Sequence, residues 1–330
     1  MSEEREALRE AVRGLLAGHA TRAAIEEPGG YDAGLWARLC KEIGVAGLAI
    51  PQGYGGAGAG LLETHVVLEE LGRGLTPGPM LSCVLAGEAL LHADDEEARA
   101  RLLPGICTGE RVVTVAFSGH DGPAGEAGNV LDVADVFLVA DAGGTLWEAR
   151  AAAVHAENSL DLTRQLHTVR FESAGARRLG TGVRQHLEAV ACVALSAEQV
   201  GAAGRALELT LDHAKTRFQF GRAIGSFQVL QHRLAEAHVR LEAARSASWT
   251  AAEALVAGAP EAYRLASVAK VCCSETFQAV AADMVQVHGG IAITWEHDAH
   301  LYLRRAYASS RLFGSPSRHV GRLAAAAGLT

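Results

Sequence analysis

Several features that would assign the chain to a common class of protein are scarce in its sequence or missing from it. Phe, Trp and Tyr make up only 5% of the 330 residues. The six cysteines are scattered without a C-x-x-C pair, which disfavours a zinc site or a disulfide framework and predicts reduced thiols in a cytoplasmic protein. No apolar run approaches the roughly 20 residues that cross a bilayer, and the acidic N-terminus is unlike a secretory signal. We therefore expect no membrane span.

Positive charge is also in short supply. Thirty-eight acidic residues against 30 basic ones give a net charge of −8, which argues against nucleic acid as the main partner. Hydrophobic residues are abundant at 49%, so the chain can bury a large core and disorder is not expected. The length suits two or three domains, and the dominance of Ala, Leu, Glu and Arg favours a mostly helical protein.

The predicted secondary structure changes twice along the chain. Residues 1–110 are typical of an N-terminal helical domain, residues 111–180 of a small β-domain, and residues 181–330 of a C-terminal four-helix bundle. The main helices are predicted over 61–71, 81–91, 96–103, 185–216, 227–257, 261–287 and 300–312. Short strands, forming a small barrel or sandwich, are predicted over 112–117, 136–140, 146–149 and 169–172.

Two patterns invite interpretations that we do not favour. Residues 53–58 match the dinucleotide fingerprint G-x-G-x-x-G, but helices precede them and no acidic residue follows at the ribose-binding spacing, which favours a turn between helices. His288, His297 and His300 are close in sequence, but nothing places them on one face and no carboxylate has a matching spacing. We therefore predict packing and surface roles for these histidines and no metal site.

The most informative stretch is residues 213–228. An apolar helical face leads into a cation (Arg217), an amide (Gln219), an aromatic ring (Phe220) and two glycines (Gly221 and Gly225). Arginine offers a forked donor to phosphate oxygens, glycine lets a ligand approach the backbone, and aromatic rings pack against heterocycles. The stretch fits a site for a phosphate-bearing ligand with a flat ring. An ordinary helix–turn–helix with a surface arginine remains the alternative.

Residues 217–228 also resemble the R-x-Q-F-G…Q segment of the acyl-CoA dehydrogenase family of flavoenzymes. Residues 36–73 are similar to the family's N-terminal pattern W-x-x-L…G-x-x-G-L-x-x-P-x-x-Y-G-G-x-G…E-E-L-G-R. Residues 286–306 are similar to its Q-x-x-G-G-x-G-x-x-x-E…R-D-A block, with Ala292 in place of the third glycine and Arg305 in place of the aspartate. The resemblance covers all three predicted domains and implies the family's fold, with a middle domain smaller than usual.

The resemblance implies FAD as the cofactor and acyl-CoA as the substrate. In the family, the R-x-Q-F-G segment contacts the pyrophosphate and adenosine end of FAD, often of the FAD held mainly by a neighbouring subunit. The positions carried over as FAD contacts are Arg217, Gln219, Phe220, Phe227, Gln228, Gln286, Gly289, Gly290 and Ser315.

The family's catalytic base is missing at the places where the resemblance puts it. A carboxylate should remove the α-proton of the thioester while FAD takes hydride from the β-carbon. The usual glutamate of the Y-E-G-T segment aligns with Phe313, and a second family position aligns with Ala191. Glu188 lies one helical turn from Ala191 and is the candidate base if our alignment is shifted. The T-E-x-x-x-G-S-D loop that binds the flavin ring is also replaced, by Phe-Ser-Gly-His-Asp-Gly at 117–122.

A short chain with a small β-domain and no glutamate at either place resembles the small subunits of heteromeric acyl-CoA dehydrogenases of steroid side-chain degradation. Three interpretations stay open. The chain is a flavin-binding subunit whose homologous partner supplies the base, or a self-sufficient homo-oligomeric dehydrogenase that uses Glu188 or another carboxylate, or an assembly subunit that has kept the fold and lost FAD. Each implies an oligomer, either of this chain alone or with a homologous subunit.

Overall fold

The computed structural model describes residues 2–19, 21–27, 30–132 and 134–329, and it is mostly helical with one main β-sheet. Three of the N-terminal helices start at a side-chain cap: Ser2, Asp32 and Asp95 each accept a backbone N–H with their side chain. The N-terminal helices are α1 (Glu3–Leu16), α2 (Thr21–Glu26), α3 (Ala33–Arg38, continued by a π-turn at Leu39–Ile43), α4 (Leu61–Arg73), α5 (Met80–His92) and α6 (Glu96–Cys107).

The glycine-rich loop at 53–58 follows helical turns rather than a strand. Short 3₁₀ turns occupy Val45–Gly47 and Gln52–Tyr54, and α4 begins at Leu61. A dinucleotide fingerprint needs a strand before its first glycine. The loop is therefore a connection between helices, as the sequence favoured.

The middle region forms a mixed five-stranded sheet with the order β1-β3-β4-β5-β2. Strands β1 and β3 are parallel and the remaining pairs are antiparallel. The two edge strands approach each other, because the Thr114 hydroxyl of β1 donates to the Leu131 carbonyl of β2 at 2.8 Å. The strands are β1 (Val113–Phe117), β2 (Gly125–Leu131), β3 (Val136–Ala140), β4 (Leu146–Ala156) and β5 (Leu166–Gly180).

The sheet is larger than the sequence predicted. Strand β2 was not predicted at all, and β4 and β5 run to 11 and 15 residues. Strand β2 reads Gly-Glu-Ala-Gly-Asn-Val-Leu, with two glycines that lower its strand propensity, so its pairing with β5 decides its conformation.

The C-terminal region is a helical bundle built on α7 (Arg184–Thr216). Helices α8 (Gln228–Val256) and α9 (Ala262–His288) follow, as predicted, and α10 (Ala299–Ser309) ends slightly earlier than expected. A two-residue hairpin, β6 (Phe218–Gln219) and β7 (Arg222–Ala223), links α7 to α8. The structure adds α11 (Pro316–Ala326), which the sequence analysis missed although Ser315 caps it and proline occupies its first position.

Helix α7 forms the centre of the molecule, with most of its residues buried. It packs against α4 at very short range: a Cβ on Gly201 would lie 1.8 Å from the Glu69 carbonyl oxygen. Only glycine fits at such a contact. The N-terminal helices therefore dock directly on the C-terminal bundle. Among the helices described, none is long and apolar enough to cross a bilayer.

Candidate functional site

The C-terminal ends of α7 and α9 lie side by side. His213, one turn before Arg217, stacks on His288, the last residue of α9, with ring centroids 4.2 Å apart. His288 in turn lies 4.4 Å from the ring of His297. The fold thus brings the predicted segment at 217–228 next to Gly289 and its neighbours. We call this region the bundle end.

The bundle end exposes groups that suit a phosphate-bearing nucleotide. The guanidinium of Arg217 makes no hydrogen bond or ion pair with another described side chain, and Gln219, Gln228 and Gln286 are exposed. Free guanidinium and amide donors are the groups that bind phosphate oxygens and adenine edges. These residues are available for a ligand.

The hairpin presents its aromatic side chains openly. Phe220 is 89% exposed and has a left-handed backbone with φ of 53°. Phe227 packs edge-on against it at 6.1 Å, and the Arg222 guanidinium lies 3.9 Å above the Phe227 ring. Phe218 of the same hairpin is 64% exposed as well, and exposed apolar patches mark surfaces that bind a ligand or partner.

Two glycines complete the bundle end after α9. Gly289 has φ of 67°, and a Cβ on either Gly289 or Gly290 would meet no atom within 4 Å. Gly289 ends α9, and the backbone here is open to a ligand from one side.

The histidines at the bundle end do not form a metal cluster. Among the described residues, the three-residue group whose ligand atoms converge is Glu88, His92 and His186, which does not include His288, His297 or His300. Burial and the neighbouring histidines lower the pKa of His288 below its usual range. The rings of His213, His288 and His297 pack on one another instead.

A second region lies near the start of α7, where a cavity of about 430 Å³ opens between the sheet, α7 and α11. Phe313 lines it, half-buried, with φ of 57° and its ring edge-on to Phe117 at 5.9 Å. We call this region the cavity end. The lining residues are Phe117, Gly119, Gly128, Asn129, Arg184, Glu188, Arg311, Leu312, Phe313, Gly314, Ser315, Arg318 and Arg322.

Glu188 shares this cavity with Phe313, but both of its carboxylate oxygens are engaged. Oε1 accepts from Arg184 Nε at 3.0 Å, and Oε2 accepts from Arg322 at 3.0 Å. Ala191, at the second family position, is fully buried in the core. Neither family position therefore presents a carboxylate to the cavity.

The loop after β1 is fixed by an arginine that sequence analysis missed. Arg184 Nη1 donates to the carbonyls of Ser118, Ala140 and Asp141 at 2.7, 2.9 and 2.9 Å. The guanidinium also lies 5.7 Å from the Phe117 ring. The signal in the sequence was the i,i+4 spacing of Arg184 and Glu188 at a helix start. The loop that replaces the flavin-binding one is thus anchored to α7.

The predicted FAD residues fall at both ends of α7 rather than at one site. At 1.5 Å per residue, the 33 residues of α7 span roughly 50 Å. Ser315 lies at the cavity end, where it caps α11 by accepting the Arg318 N–H at 3.3 Å. The other predicted FAD residues lie at the bundle end. One dinucleotide bound to one chain cannot reach both.

Arg305, which replaces the aspartate of the R-D-A block, lies in a buried cluster of polar and charged side chains. It is 3% exposed, donates to the Thr163 hydroxyl at 2.6 Å and lies 3.4 Å from both Asp161 and Glu198. Burial lowers its pKa, and the repulsion of Arg164 acts in the same direction. The buried cluster joins α10 and α7 to the segment between β4 and β5.

Two family models match the chain over most of its length. The N-terminal domain of acyl-CoA dehydrogenase matches residues 2–110 and its C-terminal domain matches residues 180–328. Acyl-CoA dehydrogenase IpdE2 of Mycolicibacterium smegmatis is 41% identical over 98% of this chain and 99% of its own length. IpdE2 of Mycobacterium tuberculosis is 40% identical over 97% of this chain and 96% of its own.

Solved structures agree with the sequence matches. A variant of the Tcur3481-Tcur3483 steroid ACAD superposes with a TM-score of 0.91 at 29% identity, covering 99% of this chain and 98% of that one. The ChsE4-ChsE5 complex of Mycobacterium tuberculosis gives a TM-score of 0.90 at 27% identity, covering 100% and 98%. The fold, the motifs and these similarities agree, and the chain belongs to the acyl-CoA dehydrogenase family of oxidoreductases.

Proposed function

We propose that this chain is a subunit of a heteromeric acyl-CoA dehydrogenase, in which it binds the adenosine and pyrophosphate half of an FAD shared with a homologous partner. The partner supplies the catalytic base. The observation that carries the proposal is the contrast between the two ends of α7: the groups expected to meet the nucleotide are exposed and unpaired at the bundle end, whereas the cavity end has no free carboxylate.

The bundle end supplies binding chemistry. Arg217 would donate to the pyrophosphate, the exposed amides of Gln219 and Gln286 would meet the nucleotide, and the open backbone at Gly290 would allow close approach. A charge-assisted hydrogen bond of this kind contributes about 1.5–3 kcal/mol. Exposed Phe220 would pack against a flat ring or the partner's surface.

The cavity end of this chain fits the flavin ring poorly. The rings of Phe313 and Phe117 line the cavity, and the Arg184 guanidinium donates a hydrogen bond to the loop at 117–122. FAD, when bound, accepts hydride from the β-carbon of the acyl thioester. Phe313 and Ala191 cannot accept the α-proton that must leave in the same reaction. This chain therefore positions the nucleotide and leaves the proton transfer to its partner.

The relatives favour a steroid-derived acyl-CoA as the substrate class. One structural relative is named a steroid ACAD, and another is a complex of two chains, ChsE4 and ChsE5. The identities to these two, 29% and 27%, extend over nearly the whole chain. We infer the same type of assembly and a bulky acyl group for the present protein.

A self-sufficient homo-oligomer is the second candidate, because Glu188 lies at the same cavity as Phe313. The deciding experiment compares the pure single chain with the chain co-expressed with a homologous subunit that carries the Y-E-G-T glutamate. Flavin content, mass by light scattering and turnover of straight-chain, branched and steroid-derived acyl-CoAs are measured for both. Robust turnover by the single chain contradicts the proposal, and a colourless complex shows that this subunit has lost FAD.

A further inference from the structure

Two histidines and a glutamate converge where α5 ends and α7 begins. Glu88 and His92 are one turn apart on α5, and His186 lies in the first turn of α7. His186 Nε2 lies 3.0 Å from a Glu88 carboxylate oxygen, and His92 Nδ1 lies 3.7 Å from the same oxygen. One ligand atom from each residue falls within 4.8 Å of the others. None of the three lines the cavity at Phe313.

The three side chains already lie close together before any ligand arrives. Glu88 and His186 keep only 14% and 17% of their side-chain surface exposed, while His92 keeps 46% and leaves one side open to solvent. The two imidazole rings stack with centroids 3.6 Å apart.

We propose that Glu88, His92 and His186 bind one divalent transition-metal ion, with Zn²⁺ as the ion that fits best. Two imidazoles and a carboxylate are ligands that Zn²⁺ accepts, and a water molecule completes the tetrahedron from the exposed side of His92. Zinc–nitrogen distances of about 2.0–2.1 Å place neighbouring ligand atoms ~3.4 Å apart. To reach that spacing the side chains must rotate, which opens the ring stack and frees His92 Nδ1 from the Glu88 backbone carbonyl, 3.1 Å away.

The surroundings set the strength of binding. Glu88 brings one negative charge, and the Arg99 guanidinium near His92 opposes a cation, although it is held by the carbonyls of Leu90, Leu91 and Ala93. We therefore expect micromolar rather than nanomolar affinity. The bound ion links the last turn of α5 to the first turn of α7, and so joins the N-terminal helices to the bundle. A ligand that binds only the folded chain raises its stability.

The test is a titration of untagged, chelator-treated protein with ZnCl₂ by calorimetry, with MgCl₂ as the comparison. We expect one Zn²⁺ per chain, no Mg²⁺ binding, and a rise in the thermal midpoint with Zn²⁺ alone. Glu88→Gln and His186→Gln keep the side-chain size and should weaken Zn²⁺ at least ~10-fold. Circular dichroism verifies that both variants fold.

Two other histidine variants serve as matched controls. His238→Ala removes an exposed histidine from α8, and His297→Ala removes the ring that lies tilted against His288 at the bundle end. Both should bind Zn²⁺ like the parent chain, and Co²⁺ should give visible d–d bands in the parent and controls but not in His186→Gln. Absence of stoichiometric binding in the parent, or equal binding in folded Glu88→Gln and His186→Gln, overturns the proposal.

Discussion

The two ends of α7 differ in which groups they leave free. At the bundle end, the Arg217 guanidinium, three amides and the open backbone of Gly289 and Gly290 have no partner among the described side chains. At the cavity end, Glu188 is held between two arginines and Phe313 packs on Phe117. We propose that a chain whose nucleotide-binding donors are exposed at one end, while its carboxylate is engaged at the other, completes another chain's site. The predictions that follow test this difference between the two ends.

The largest expected effect concerns proton transfer. The flavin-loaded single chain should turn over acyl-CoA ~10²–10⁴-fold more slowly than its complex with a homologous subunit that carries the catalytic glutamate. General base catalysis typically accelerates a reaction by this factor. Turnover with an artificial electron acceptor, normalised to bound flavin, measures it. Equal rates per flavin would show that the cavity end is competent after all.

The next effect concerns nucleotide binding. Arg217→Ala should reduce FAD affinity by about 1.5–3 kcal/mol, roughly 10- to 100-fold, because it removes a charge-assisted donor to phosphate. Arg318→Ala is the matched control, since Arg318 is an exposed arginine at the cavity end. Flavin absorbance after gel filtration measures the flavin content of both variants. Equal loss of flavin from Arg318→Ala and Arg217→Ala would show that Arg217 has no specific role in binding FAD.

A third prediction uses the buried amine behind the cavity end. Lys270 is fully buried and donates to the Ser274 hydroxyl and the Ser310 carbonyl, both at 3.0 Å. Burial lowers its pKa from 10.5 to about 8. Between these values the unfolded chain binds more protons than the folded chain, so the free energy of unfolding rises with pH.

Urea unfolding at pH 7.5 and pH 9.5 tests this linkage. Over that interval the free energy of unfolding of the parent chain should rise by about 2 kcal/mol more than that of Lys270→Met, because Met cannot titrate. Taking the difference between the two proteins cancels the titration of the other groups. If the difference in free energy of unfolding between the two proteins does not change with pH, Lys270 keeps its ordinary pKa. The loop from α10 to Phe313 would then be looser than the structure shows.

The sequence predicted the helices well, because helical periodicity is a local property. Periodicity defines α7, α8 and α9, and the glycine pair predicts the end of α9. The extent of β2 and β5 was not predictable, since their pairing depends on residues about 40 positions apart. Arg184 was missed for the same reason: its hydrogen bonds reach loops that only the fold brings near. The division of the predicted FAD residues between the two ends likewise required the fold, because only tertiary packing places Ser315 beside the start of α7.

The smallest expected effect separates the two candidate functions at a single residue. Glu188→Gln removes the carboxylate that Arg184 and Arg322 share, and partly exposed ion pairs of this kind contribute about 0–1 kcal/mol. Within the complex, turnover should change less than about twofold, because a carboxylate whose two oxygens accept from guanidinium groups is poorly placed to take a proton. Arg322→Gln breaks the same pair but keeps the carboxylate, and should behave alike. A collapse of turnover in Glu188→Gln alone, with flavin retained, would identify Glu188 as the base and make the cavity end a working active site.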